Sequence, residues 1–194
     1  MAWDTERTKQ LLLDAATAEF SAHGLAGARI DRIASEAGVN KERIYQYFGK
    51  KDEFFGIVLA RQLAAVMDAV PITGAGVEAI VDYADRVFEY HSRHPELARL
   101  VFWEGLERSE PTALDARTAG ADNKVARLQE ALPTLSDANA RELLATILTL
   151  CDGWQVLRAM DRVYTGTIER DAARNDARKA SVLLTIESLT RALI

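Results

Sequence analysis

The chain has 194 residues, 48% of them hydrophobic, a net charge of −5 and a single cysteine, Cys151. That excludes an internal disulfide framework, and no apolar run approaches the ~20 residues of a membrane span, so a globular protein of the reducing cytoplasm, with no membrane partner, is expected. Residues 1–51 hold eight Lys/Arg against seven Asp/Glu, and residues 52–194 hold sixteen against twenty-two, which excludes a chain that binds nucleic acid over its whole surface but allows a small binding module on an acidic body.

The opening stretch MAWDTERTKQ is polar and lacks the apolar core of a signal peptide. No alternating run rich in β-branched residues follows, so no strand is predicted. Leu12, Ala16 and Phe20 step by four, a helical period that Gly24 stops. Ile30, Ile33, Ala34 and Ala37 form a second stripe ended by Gly38. A third, short helix is predicted over 40–48, with Asn40 as its N-cap and Gly49 after it. A long helix follows from Asp52 to Val70 on the stripe Phe55, Leu59, Leu63, Val66 and Val70, with Asp52 and Glu53 where the helix dipole favours anions. PITGAG at 71–76 breaks the pattern.

Five more helices are expected beyond it. The first carries Val77, Ile80, Val81, Ala84, Val87, Phe88 and His91, and Pro95 opens the second. SEPT at 109–112 precedes a stripe of Leu114, Ala121, Val125, Leu128 and Leu132. PTLSDAN leads into one helix with Leu144, Ile147, Cys151, Trp154 and Arg158, ended by TGT at 165–167, and the last helix carries Val182, Ile186, Leu189 and Leu193. The expected fold is all-α, about nine helices, with one domain at 1–51 and another at 52–194.

Residues 30–49, IDRIASEAGVNKERIYQYFG, read as two short helices joined by a tight turn at Gly38-Val39. Ala34 is small where the helices cross, and Ile33, Ala37, Val39 and Ile44 form a shared apolar seam. This is the pattern of a helix-turn-helix, whose second helix lies in the DNA major groove. The same stretch, continued through KKDEFF and preceded by LLLDAATAEFSAHG, resembles the N-terminal domain of the TetR family of bacterial transcription regulators over about residues 8–60. The resemblance implies a homodimer on a palindromic double-stranded DNA operator, a C-terminal domain that binds a small effector, and dimerisation through the last two helices. It places Lys41, Glu42, Arg43, Tyr45 and Gln46 at bases and nearby phosphates, with Asn40 in the turn before them. Tyr47 and Lys51 fall at phosphates, and Arg29 falls where many members carry a threonine that touches the backbone. Arg43 and Lys41 can donate to guanine O6 and N7, and Gln46 can pair with adenine. Glu42 stands where a glycine is common, and either accepts from a cytosine amine or holds Arg43. Lys50 replaces the usual serine or asparagine cap.

In the second domain an apolar effector site with a few polar groups is expected from Tyr83, Phe88, His91, Phe102, Trp103, Glu104, Cys151, Trp154, Gln155 and Met160. The effector is a small hydrophobic or weakly polar organic molecule. The stripes Leu144, Ile147, Leu148 and Val182, Ile186, Leu189 either build the dimer or close the subunit's own core. A repressor released by its effector is the preferred reading, and the same dimer controlled by a protein partner is the alternative. No enzyme, cofactor or metal is expected: GAGVEA at 74–79 has the letters of a dinucleotide fingerprint without its strand, His91 and His94 lack further ligands, and Cys151 sits on an apolar stripe.

Overall fold

A computed structural model describes residues 2–166 and 169–194. Among the described residues there are ten helices and no strand: α1 Ala2–Gly27, α2 Ile30–Ala37, α3 Glu42–Phe48, α4 Lys51–Ala69, α5 Gly76–Arg93, α6 Pro95–Glu107, α7 Leu114–Ala131, α8 Asp137–Val156, α9 Arg158–Thr165 and α10 Ala172–Ala192. With no sheet, the fingerprint letters at 74–79 lack the strand that a dinucleotide site needs. None of these helices is long and apolar enough to cross a membrane.

The expected count of about nine misses one break. The stretch read as a single helix from Leu144 through Arg158 parts at Leu157, where ψ is 51°. The guanidinium of Arg170 donates to the carbonyls of Trp154 and Leu157 at that break. A side chain from outside the helix thus adds donors at the break, where the Leu157 carbonyl also accepts from the Asp161 amide at 3.3 Å. Of the TGT expected to end this segment, Thr165 closes α9 and Gly166 caps it; Thr167 lies outside the described residues.

The chain forms two compact units. One holds the residues up to Ala65 together with Glu96–Leu114, and the other holds Val66–Pro95 and Asp115–Ile194. The first therefore includes most of α4, and α6 as well. The reason is packing. Phe20 meets Phe54 and Phe55 of α4 edge-on, with ring centroids 5.8 and 5.3 Å apart, and Phe48 of α3 stacks on Phe54 at 4.4 Å. Leu12, Ala16, Ile33, Ile44 and Leu59 are buried with them, which makes this a real core rather than an appended head. Helix α6 joins through one face: Arg99 Nε and Trp103 Nε1 donate to Ser21 O at 2.8 and 3.2 Å, and Glu107 accepts from the amides of Leu25 and Ala26 at 2.5 and 3.2 Å. Residues 99, 103 and 107 are spaced by four, so they line one side of the helix.

In the second unit α5, α7, α8 and α10 share a core of Ile80, Phe88, Val125, Leu128, Leu143, Ile147, Val182 and Ile186. Both stripes proposed for a dimer face turn into this core: Leu144, Ile147, Val182 and Ile186 are buried, and Leu148 and Leu189 pack against it half-buried. Lys124 of α7 is buried, and its ammonium donates to the carbonyls of Met67 and Val70 just where α4 ends. It acts as a cation at a helix C-terminus.

Lys179 of α10 reaches two carboxylates of α5, Glu89 at 2.7 Å and Asp85 at 3.3 Å. The hydrogen bond from Lys179 holds Glu89 below its ordinary 4.5, and the same bond raises Lys179 above its ordinary 10.5. The depressed acid contributes stability above its unfolded value, lost as pH falls through the lower folded one; the raised base contributes below 10.5 and loses it on further rise. Lys179→Met is therefore expected to cost up to about 1 kcal/mol in urea unfolding at neutral pH. The difference from wild type should shrink as pH falls below 4.5 and as it rises above 10.5. A difference independent of pH would mean that only the packing of the lysine stem matters.

Candidate nucleic-acid interface

The turn between α2 and α3 is built on Gly38, at φ 64° and ψ 30°, with its amide donating to Ser35 O and that of Val39 to Ala34 O. This is a left-handed helix exit, which glycine makes without strain. Ile33, Ala34, Ile44 and Phe48 are buried, while Ala37 and Val39 are half-buried. The seam expected from the sequence is therefore the one that sets α3 against α2. Helix α3 opens at Glu42, with Lys41 in the cap position and making no side-chain capping bond. Asn40 supplies only a long contact of 3.4 Å from its Oδ1 to the Glu42 amide. The cap expected at Asn40 is thus weak, because Lys41 already has helical dihedrals and the side chain reaches only two residues on.

With Ile44 and Phe48 inside, the outward face of α3 carries Lys41, Glu42, Arg43, Tyr45 and Gln46, all exposed. Tyr45 leaves about half its surface open, at 53%. Arg43 does not pair with Glu42. Its Nη1 donates to the Tyr47 hydroxyl at 2.8 Å, one turn on, and its guanidinium lies over the same ring at 5.8 Å. The Lys9 ammonium approaches that ring as well, at 5.7 Å, a neighbour that periodicity alone does not reveal. Lys41 pairs with Asp31 of α2 at 3.2 Å, and that bond raises its ammonium above the ordinary 10.5. The exposed cations are thus held by local partners that leave several N–H groups free to donate.

Two expected contacts serve the frame. Lys51 donates to the carbonyls of Ala26 and Ala28, both at 3.2 Å, tying α4 to the end of α1. Its third N–H is what remains for a phosphate. Arg29 is exposed, and its amide donates to Glu19, which also takes two bonds from Arg32 at 2.8 and 2.6 Å. Burial raises the Glu19 carboxyl, but those donors outweigh it and hold the group below its ordinary range. At the start of α4 the amide of Lys50 donates to Glu53 at 2.7 Å. This is the reciprocal half of a capping box, and it replaces the missing serine or asparagine.

The residues expected at an effector site separate between the two units. Phe102, Trp103 and Glu104 belong to the first, where Trp103 binds Ser21 O and Glu104 accepts from the Thr112 amide at 2.7 Å. Tyr83, Phe88, His91, Cys151, Trp154 and Gln155 belong to the second, and all six are buried. Met160 is 54% exposed on α9. Burial pushes the Cys151 thiol up to about 12 and raises the Tyr83 phenol well above its ordinary range, so both stay neutral. Gln155 donates to Ser92 at 3.2 Å. Trp154 donates to Asn175 at 3.0 Å, and Arg170 covers its ring at 3.6 Å.

Comparison with known proteins agrees with this arrangement. The N-terminal pattern of the tetR family of bacterial regulatory proteins matches residues 12–56, and a tetracyclin repressor-like C-terminal domain matches residues 79–187. The transcriptional repressor SCO4008 of Streptomyces coelicolor is 37% identical over 187 residues, covering 93% of this chain and 96% of that one. The repressor NicS of Pseudomonas putida is 31% identical over 111 residues, covering 55% of this chain and 52% of its own. A putative transcriptional regulator of S. coelicolor, SCO4942, superposes with a TM-score of 0.74 at 27% identity, covering 94% of this chain and 97% of that one. Two units of helices, a helix-turn-helix with an exposed cationic face, and matches to both halves lead to one conclusion: the chain belongs to the TetR family of helix-turn-helix transcription regulators.

Proposed function

We propose that the protein is a dimeric repressor whose α3 enters the major groove of a palindromic operator, and that a small organic effector bound in its C-terminal part releases it. In this reading residues 1–51 are the DNA-binding domain and 52–194 the effector and dimerisation domain. The observation that carries it is the face of α3. Lys41, Arg43, Tyr45 and Gln46 stand exposed on a helix whose Ile44 and Phe48 are locked inside. Lys41 and Arg43 donate to guanine, Gln46 to adenine, and Tyr45 and Tyr47 hold the register on phosphates. The name of the 37% identical relative, a transcriptional repressor, supports the direction of control. Effector release requires reciprocity: DNA weakens effector binding by the same factor as effector weakens DNA binding.

The test begins with genomic fragments retained by the purified protein, from which the operator is defined. Arg43→Ala is then expected to weaken operator binding by about 1–3 kcal/mol and random duplex much less. Tyr47→Phe removes a hydroxyl placed at a phosphate, so it should weaken operator and random duplex about equally. Equal losses on operator and random DNA would reduce Arg43 to a phosphate contact. Binding that does not weaken as salt rises would remove the DNA reading altogether.

A further inference from the structure

Inside the second unit hydrogen bonding is incomplete where α5, α8 and α10 meet. His91 of α5 is 2% exposed, and its Nε2 has no hydrogen-bond partner among the described residues. Its Nδ1 lies 2.5 Å from Oδ1 of Asp152 on α8, yet neither atom makes a hydrogen bond of ordinary geometry. Asp152 is itself buried, at 8%. From α10, the Nε of Arg178 is buried and also lacks a partner among the described residues, while its guanidinium stands 5.8 Å from the Trp154 ring. Asp152 and Arg178 both act electrostatically on Cys151, the residue beside Asp152. Native interiors leave few buried polar groups unmet, and each such group calls for an explanation.

The chemistry of these atoms restricts what completes them. An arginine Nε–H can only donate. A carboxylate and a bare ring nitrogen repel at 2.5 Å, so a proton stands on the Asp152 side of His91 and Nε2 is the nitrogen left to act. A ligand amine brings a second cation towards Arg178, and a hydrocarbon leaves all three groups unmet. A carboxylate meets them, with Nε2 carrying a proton taken from solvent: one oxygen would accept from Nε2–H and the other from Arg178 Nε–H. Phe88 and Cys151, buried in the same core, offer apolar surface for the rest of the molecule.

We propose that His91, Asp152 and Arg178 form the recognition point for the carboxylate of an organic acid with an apolar body. This rests on the reading that the second unit binds an effector, and it replaces the weakly polar molecule expected from the sequence with an anionic one. Calorimetry on the full-length protein with butanoate, octanoate and phenylacetate, each beside its primary amide and its matching amine, tests it. At least one carboxylate is expected to bind, its amide at least about tenfold more weakly, as for the loss of a charge-assisted contact. Arg178→Gln and His91→Gln should each lose carboxylate binding by a similar factor, with far-UV circular dichroism unchanged. Amides or amines that bind and release operator while the acids do not would overturn the carboxylate site and leave the effector reading standing. Absence of binding by every probe, together with a higher melting temperature for His91→Phe, would overturn the site as a merely unsatisfied core.

Discussion

Gly24→Ala is expected to destabilise the first unit by about 3 kcal/mol, although it adds a single methyl group. Gly24 interrupts α1 at φ 70° and ψ −178°. That region is almost closed to residues with a Cβ and costs about 1–3 kcal/mol by itself. The new methyl would also stand 2.8 Å from Cδ2 and Cε3 of Trp103 and 2.8 Å from Oε1 of Glu107. Neither neighbour is free to yield. Trp103 is tied to Ser21 O, and Glu107 to the amides of Leu25 and Ala26. Moving either one opens the connection between α6 and the kink of α1. Gly27→Ala is the control, since its added carbon meets only His23 Cβ at 3.5 Å, an ordinary contact. Alanine is also the better helix former, so that change should be neutral or slightly stabilising. Urea unfolding of the two variants side by side measures the difference. If Gly24→Ala behaves like Gly27→Ala, the kink carries no strain and the α1–α6 contact is loose.

What the sequence discloses here is which side chains turn inward, and what it conceals is their partners. Leu12, Ala16 and Phe20, or Ile80, Val87 and Phe88, announce themselves by period, because burial follows helical geometry within one segment. Trp103 and Glu104 were equally visible as a polar-aromatic pair beside apolar residues, yet their partners are Ser21, 82 residues away, and the amide of Thr112. Nothing local distinguishes that from a ligand wall. Lys51 likewise reads as a cation near the recognition helix, and only the position of the α1 end shows that two carbonyls already hold it. The stripes of α8 and α10 look like a dimer face or a core with the same letters, and the structure turns them inward. The break at Leu157 was hidden for a related reason: Arg170, which donates to carbonyls at the break, lies beyond the segment it interrupts. The helix-turn-helix was legible because its determinants, Ala34, Gly38 and Ile44, act on one another within a dozen residues.

Phe54→Ala is expected to cost about 3–5 kcal/mol, and operator binding should fail before the unit as a whole unfolds. Phe54 has no exposed surface and stands between two rings, stacked on Phe48 at 4.4 Å with an interplanar angle of 9° and edge-on to Phe20 at 5.8 Å. Phe48 is the last residue of α3, a helix of only seven residues. A helix that short has no stability of its own in water, so its orientation is a property of what its buried side chains rest on. Removing Phe54 takes away the floor under Phe48 and leaves Ile44 as the main anchor of α3. Phe54→Leu keeps most of the volume and should cost less than about 1.5 kcal/mol. In fluorescence anisotropy with the operator, Phe54→Ala should lose affinity at temperatures where far-UV circular dichroism still reports native helix content, and Phe54→Leu should lose little. Full affinity in Phe54→Ala would mean that α2 alone orients the recognition helix. The aromatic stack would then contribute to the stability of the unit without directing its reading face.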